Sequence, residues 1–264
     1  MSIHPLAVVS PHAEVGADVR IGPFSVIEAG VVLGDGCNLA SRVTVKSGTQ
    51  LGRDNLVLEG TVIGGMPQHV HMPEHPGTTE IGDGNVFREH VTVHRSNKLE
   101  EDTVIGSGNF LMAHSHVGHN ARLGNQIIIA NGALLAGHVA VDDRAFISGN
   151  CLLHQFVRVG RLALMQGGSA ISKDLPPFTI ARGDNGICGL NVVGLRRAGV
   201  ASEERLELKK LYHVLFRSGQ NMHNALAVAE LRFTGELTQV MMNFVATSKR
   251  GVCTDVGEHH EAGE

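Results

Sequence analysis

The 264-residue chain has no tryptophan and one tyrosine, and aromatic residues make up only 4% of it. That scarcity excludes a core built around large rings, whereas a 42% hydrophobic content is ample for a globular interior and argues against general disorder. The four cysteines, Cys37, Cys151, Cys188 and Cys253, are scattered and form no CxxC pair, so a reducing cytoplasm is the expected home. No stretch approaches the ~20 apolar residues needed to cross a bilayer. The opening MSIHPLAVV has neither a basic n-region nor a long apolar run, so no membrane insertion is expected. With 22 basic against 26 acidic residues and a net charge of −4, nucleic acid is not expected as a partner. The one local surplus lies between Arg158 and Arg217, where ten basic residues face five acidic ones. An acidic partner could dock there, although a helix face of mixed charge would look the same.

What the chain does have is glycine, 33 of them, and a ruler six residues long. Steps of six from Ile3 land on Val9, Val15, Ile21, Ile27, Leu33, Leu39, Val45, Leu51, Val57 and Ile63. The same phase resumes at Ile81 and runs through Phe87, Val117, Leu135 and Leu153 to Ile171. Of 29 grid positions 27 are apolar, where composition alone would give about 12. Glycine often follows the aliphatic, as at Gly16, Gly34, Gly118 and Gly160, and a small residue recurs four places on, as at Ser25, Cys37, Ala121 and Ala145. A period of six fits short strands, each sending one aliphatic inward, joined by tight turns. Stacked turns bury a continuous column that no single repeat could bury, which is the pattern of a parallel β-helix.

The ruler fails at His69 and His75, and HRSNKLEEDT (94 to 103) is polar apart from Leu99. Loops are therefore expected at 65–80 and 94–103, projecting from the prism toward a binding face. The period ends at SKDLPPFTIARGD, where prolines and glycine mark a boundary. The expected organisation is an all-β repeat domain over 1–185, an α-helical domain over 186–253 and a disordered tail over 254–264. NVVGLRRAG reads as a short helix, Ser202 as the cap of a second ending near Gly219, and 222–233 and 235–248 as two more.

Within AHSHVGHN (113 to 120) lie His114, His116 and His119. If three hexads make one coil, residues 18 apart share a face, so hexads starting at Val117, Leu135 and Leu153 stack. His119, His138 and His154 then line one face at about 4.8 Å per level, with His116 at its corner. Three readings compete: idle surface histidines, an open zinc site using His114 and His119, and a general base among substrate-binding neighbours. No cysteine or glutamate adjoins the cluster, and general base catalysis is the reading favoured.

IHPLAVV, IGDGNVFREHVTVHR, AHSHVGHN, LLAGHVAVDDRAFISG, LLHQFVRVG, DLPPFTIARGD and NVVGLRR together resemble the UDP-N-acetylglucosamine O-acyltransferases of lipid A biosynthesis over essentially the whole chain. The resemblance implies a left-handed parallel β-helix with three hexads per coil, followed by a small helical domain. It implies transfer of a 3-hydroxyacyl group from acyl carrier protein to the glucosamine 3-hydroxyl, no cofactor or metal, and a homotrimer with sites between subunits. By position it makes His119 the base, with Asn120 beside it, and the Gly137 N–H the oxyanion donor. His116, His138, His154 and Gln155 would hold sugar, pyrophosphate and acyl groups, Asn191 and Arg197 the nucleotide, and Gly167 would set acyl length. Three departures stand out: Asn120 where the family usually has aspartate, His69 and His71 where it has an acid and a lysine, and Val193 and Ala198 where it has an acid and a second arginine. The competing functions are a zinc lyase of the carbonic anhydrase type on the same repeat and a non-catalytic paralogue that binds nucleotide sugar or carrier.

Overall fold

The computed structural model describes residues 2–71 and 73–257. Its β portion is a three-sided prism of sheets of 12, 9 and 8 strands, in which each strand of the repeat up to Ala170–Ile171 pairs in parallel with the one three places along the chain. Most strands are two residues long, the first facing out and the second in: Arg122–Leu123 and Leu134–Leu135 each pair an exposed residue with a buried one. The hexad aliphatic is the inward one, so Val117, Leu135, Leu153 and Ile171 stack in direct register. Burying each such side chain contributes roughly 1.5–3 kcal/mol. Chain turns at the corners use left-handed backbone, adopted not only by glycine but by Asn120 (φ 58°), His138 (φ 60°) and Phe156 (φ 65°). One corner is polar inside. Asn55, Asn85 and Asn109 are buried in a ladder, each side-chain oxygen accepting the next rung's N–H, Asn85 N–H to Asn55 at 2.9 Å and Asn109 N–H to Asn85 at 2.9 Å.

The two expected loops are insertions within coils, and their lengths are multiples of the repeat. Ordinary partners are 18 apart, as in Val45↔Ile63. Those spanning the first loop are 30 apart, as in Val57↔Phe87, and those spanning the second are 24 apart, as in Phe87↔Leu111. Twelve and six extra residues leave the six-residue phase intact. Leu99, though in phase, sits on the second loop and is 63% exposed, so it is no part of the core.

The sheet runs on past the expected boundary at 185, with Thr179–Arg182 pairing antiparallel with Gly186–Leu190. Four helices follow: α1 (Val192–Arg197), α2 (Ser202–Tyr212), α3 (Met222–Glu230) and α4 (Glu236–Ala246). Leu195, Leu208, Leu211, Ala225 and Met241 pack with Leu162 and Phe178 at the end of the prism. Ala201, not Ser202, occupies the cap of α2, its N–H donating to Glu204 (3.2 Å). The helix then loosens into a π turn over His213–Arg217. The tail expectation is corrected at its start: Thr254–Asp255 is a strand paired with Gly186–Leu190. It is held there because Asp255 accepts hydrogen bonds from Tyr212 (2.8 Å) and Arg217 (2.5 Å). The rest of the tail, 258–264, lies outside the described residues.

Candidate active site

Stacking the coils places three columns side by side at one corner of the prism. Gly118, Ala136 and His154 form one, His119, Gly137 and Gln155 the next, and Asn120, His138 and Phe156 the third, each set 18 residues apart. His119, His154, Gly137 and Gln155 line a single cleft of about 860 Å³ together with Gln68, His69, His94 and His116. Of the three histidines expected to share a face, His119 and His154 line this cleft, while His138 stands outside its lining, edge-on to His119 with ring centroids 5.3 Å apart and stacked on Phe156 at 4.5 Å. His116 belongs to the strand His116–Val117 itself rather than to the corner before it. His114 turns away and stacks on His90 at 5.1 Å. Among the described residues no group of three or more histidine, cysteine or acidic side chains is arranged to hold a metal ion.

His119 is 8% exposed and its Nδ1 lies 2.8 Å from Asn120 Oδ1. The amide itself fixes which way this bond runs. Asn120, 5% exposed, donates from Nδ2 to Ser96 Oγ (2.6 Å) and to the Glu101 carboxylate (2.9 Å), while Oδ1 accepts the Asn97 N–H (3.1 Å). A carboxylate can only accept, so the nitrogen must face Glu101 and the oxygen must face the ring. His119 therefore carries its proton on Nδ1 and presents the bare Nε2 to the cleft, the form that can take up a proton. Nε2 points at Gly137, whose N–H makes no hydrogen bond among the described residues. A Cβ at Gly137 would stand 2.6 Å from Nε2 and Cε1 of His119, so only glycine lets the ring sit there.

Three neighbouring imidazoles, His94, His116 and His138, are pushed toward the neutral form. Burial, then the proximity of His116 and His119, pushes His94 down to about 4. Burial, then His119, lowers His116 and His138 as well. His116 Nδ1 pairs with Thr92 Oγ1 (2.8 Å), and its ring meets His94 edge-on at 4.9 Å. The buried His94 Nδ1 has no hydrogen-bond partner among the described residues.

Both loops fold back over this corner. The first brings His69 edge-on to His119 at 5.7 Å, and Arg95 ties its base to the prism through Gly77 O (2.6 Å), Ser47 O (2.9 Å) and Pro76 O (3.1 Å). His71 is exposed and lies off the cleft, its ring 6.1 Å from that of His69. The second loop supplies Ser96, Asn97 and Glu101 to Asn120. Asn191 and Arg197 also stand off the cleft of their own chain. Asn191 caps α1, accepting the Gly194 N–H (2.9 Å) and donating to Leu162 O (2.9 Å). Gly167 is exposed at a corner, and among the described residues an added Cβ would meet nothing nearer than Gly149 O at 3.6 Å. His94, Gln68, Ser96, Glu101 and Arg250, which reaches His154 Nδ1 at 3.3 Å, were not singled out from the sequence. Of these only His94, in the segment quoted for the resemblance, carried a signal that could have found it.

Residues 12–47 and 102–137 match the bacterial transferase hexapeptide family, six repeats, and residues 174–253 match the family described as UDP N-acetylglucosamine O-acyltransferase, domain 2. The acyl-(acyl-carrier-protein)–UDP-N-acetylglucosamine O-acyltransferase of Thermodesulfovibrio yellowstonii is 39% identical over 258 residues, covering 95% of this chain and 98% of that protein. The chain belongs to that acyltransferase family. The solved UDP-N-acetylglucosamine acyltransferase of Francisella novicida superposes with a TM-score of 0.93 at 35% identity, covering 96% of this chain and 94% of that one. The Bacteroides fragilis enzyme gives 0.92 at 37% identity, covering 94% and 98%. With these relatives the prism is a left-handed parallel β-helix, as the resemblance implied. They favour neither the zinc lyase nor the non-catalytic paralogue.

Proposed function

We propose that the cleft moves a 3-hydroxyacyl group from acyl carrier protein to the 3-hydroxyl of UDP-N-acetylglucosamine, the step that opens lipid A biosynthesis in the cytoplasm. The observation that carries this reading is the His119 ring, locked by Asn120 with Nε2 open beside the Gly137 N–H. Nε2 takes the proton of the sugar hydroxyl as its oxygen attacks the thioester carbonyl. The Gly137 N–H stabilises the oxyanion that forms, an effect often worth ~3 kcal/mol. Collapse of the tetrahedral intermediate breaks the C–S bond, and the imidazolium returns its proton to the departing thiolate. His116, His138, His154 and Gln155 hold the sugar, its pyrophosphate and the acyl group, with His69 closing over them and His71 at the rim.

The first residues of the strands flanking the cleft favour a homotrimer with shared sites. Leu134 and Leu152, 44% and 49% exposed, stand in register between His116 and Ala170. An outward apolar stripe beside a polar cleft calls for a cover, which a neighbouring prism and the acyl chain would supply. Arg197, exposed in the last turn of α1, then meets a nucleotide held at the neighbour's cleft, where it is a charge partner for phosphate. Asn191 acts chiefly by fixing α1. The carrier docks on Arg196, Lys209 and Lys210, all exposed, whereas Arg158 and Arg217 of the same basic region are engaged with Asp174 and Asp255.

The test is incubation of the purified protein with UDP-N-acetylglucosamine and a panel of 3-hydroxyacyl carrier proteins, with products weighed by mass spectrometry. A product heavier by one hydroxyacyl group, lost in His119→Ala, is expected. Absence of any acylated sugar across the panel would refute the reading.

A further inference from the structure

We propose that Glu101 is a positioning residue for His119, acting through the Asn120 amide, so that a carboxylate on the second loop stands behind the base one amide removed. The inference rests on the assignment of His119 as base. An imidazole that accepts a proton becomes a cation, and its stability depends on what the opposite nitrogen faces. Here Nδ1 faces an amide oxygen, which carries a dipole but no charge. That amide is not isolated: all four of its hydrogen-bonding positions are filled, by His119, Asn97, Ser96 and Glu101. A bond from Nδ2 to a carboxylate polarises the amide and makes Oδ1 a stronger acceptor, the cooperative effect expected of a buried chain of hydrogen bonds. Ser96, fully buried, has its own hydroxyl committed to Lys98 O (3.0 Å) and accepts the Lys98 N–H (3.0 Å). Glu101 is therefore the only one of the amide's partners that brings a negative charge.

The site also explains why residue 120 is an amide. Nδ2 lies 2.9 Å from Glu101 Oε2, so an aspartate at 120 would set two carboxylates face to face, and both could not stay ionised. Other charged and titratable groups face this pair. Lys98 donates to Glu101 Oε1 at 2.6 Å and holds it ionised. His69 and His138 flank His119, with His94 and His116 beyond. Glu101 is half-exposed, so solvent screens its charge and the effect on rate is a modest factor rather than an on–off switch.

The experiment measures kcat and kcat/KM against pH for wild type, Glu101→Gln, Asn120→Asp, the double variant and His119→Ala, with the His119 ring nitrogens followed by 15N NMR. Glutamine at 101 still accepts from Asn120 and removes only the charge. Expected are a three- to tenfold fall in kcat/KM for Glu101→Gln with KM little changed, and a shift of the acid limb and of the His119 titration to lower pH. Asn120→Asp should lose more, and adding Glu101→Gln to it should restore activity. Coincident pH profiles with an unshifted imidazole, or an Asn120→Asp enzyme indifferent to residue 101, would overturn the proposal. Full activity in His119→Ala would instead overturn the assignment of the base, while the NMR titration still decides whether Glu101 and His119 are coupled.

Discussion

Replacing Gly137 with alanine isolates the seat of the base from the oxyanion donor. The alanine keeps the backbone N–H, and Gly137 is absent from the positive-φ positions, so the main chain accepts the change. What it adds is one methyl carbon 2.6 Å from Cε1 and Nε2 of His119. Ordinary carbon contacts lie near 3.5 Å, so the ring must retreat by roughly 0.9 Å. It cannot rotate away freely, because its Nδ1–H is tied to Asn120 and its faces meet His69 and His138. A misplacement of about 1 Å at a reacting centre costs on the order of 10²-fold, and that loss is expected in kcat, with binding of UDP-N-acetylglucosamine largely kept. The assay is single-turnover acyl transfer, with thermal unfolding run beside it to show an intact prism. A Gly137→Ala protein that folds normally and turns over within threefold of wild type would refute the placement of His119 Nε2 against this backbone.

Other outcomes follow from the same geometry. Gly167→Met should leave folding unchanged, since its Cβ meets only Gly149 O at 3.6 Å, yet shorten the preferred acyl chain, and an unchanged chain-length profile in competition assays would refute that. His94 in the fold sits at about 4 against about 6.5 when unfolded. Between those values the unfolded chain binds the proton that the native one refuses, so acid favours unfolding. Stability of the wild type should fall by up to about 3 kcal/mol as pH drops from 6.5 to 4 relative to His94→Gln, as read from urea midpoints. Parallel pH curves for the two proteins would exclude His94 as the source. Arg158→Met strips the nearly fully buried Asp174 of its guanidinium partner at 2.9 Å, leaving the Ser248 hydroxyl and a backbone N–H. A cost of about 3 kcal/mol and earlier proteolysis of the helical segment are expected, and an unchanged unfolding midpoint would count against the role given to this pair.

The prism was legible because the large inward side chain of each strand falls on one residue in six, with a second buried position two places before it, and Val117, Leu135 and Leu153 obey that without exception. Arithmetic on the same period was enough to bring His119, His138 and His154 together. What it could not supply was the path of the two excursions, which leave the period by construction. The contact between Glu101 and Asn120 depends on how the second loop returns, and no spacing encodes that. Val70 and Leu99 show the converse, apolar residues left 94% and 63% exposed because they ride on the excursions. The tail misled for a different reason. Asp255 looked like part of an acidic end, and its partners Tyr212 and Arg217 lie some forty residues away on a helix and its π turn. Ser202 is the better capping residue by type, but Ala201 holds the cap because Glu204 reaches back to its N–H.

The twelve- and six-residue excursions carry a lesson about how such a molecule can change. Adding or losing a single residue inside a rung would turn the strand that follows it inside out, presenting its aliphatic to water. Whole hexads can be gained or trimmed at a corner while the rungs above and below still meet. Chemistry around the base can thus be rewritten by lengthening a bend, without renegotiating the column beneath it, and differences in length among kindred chains should come in sixes wherever they fall between two rungs.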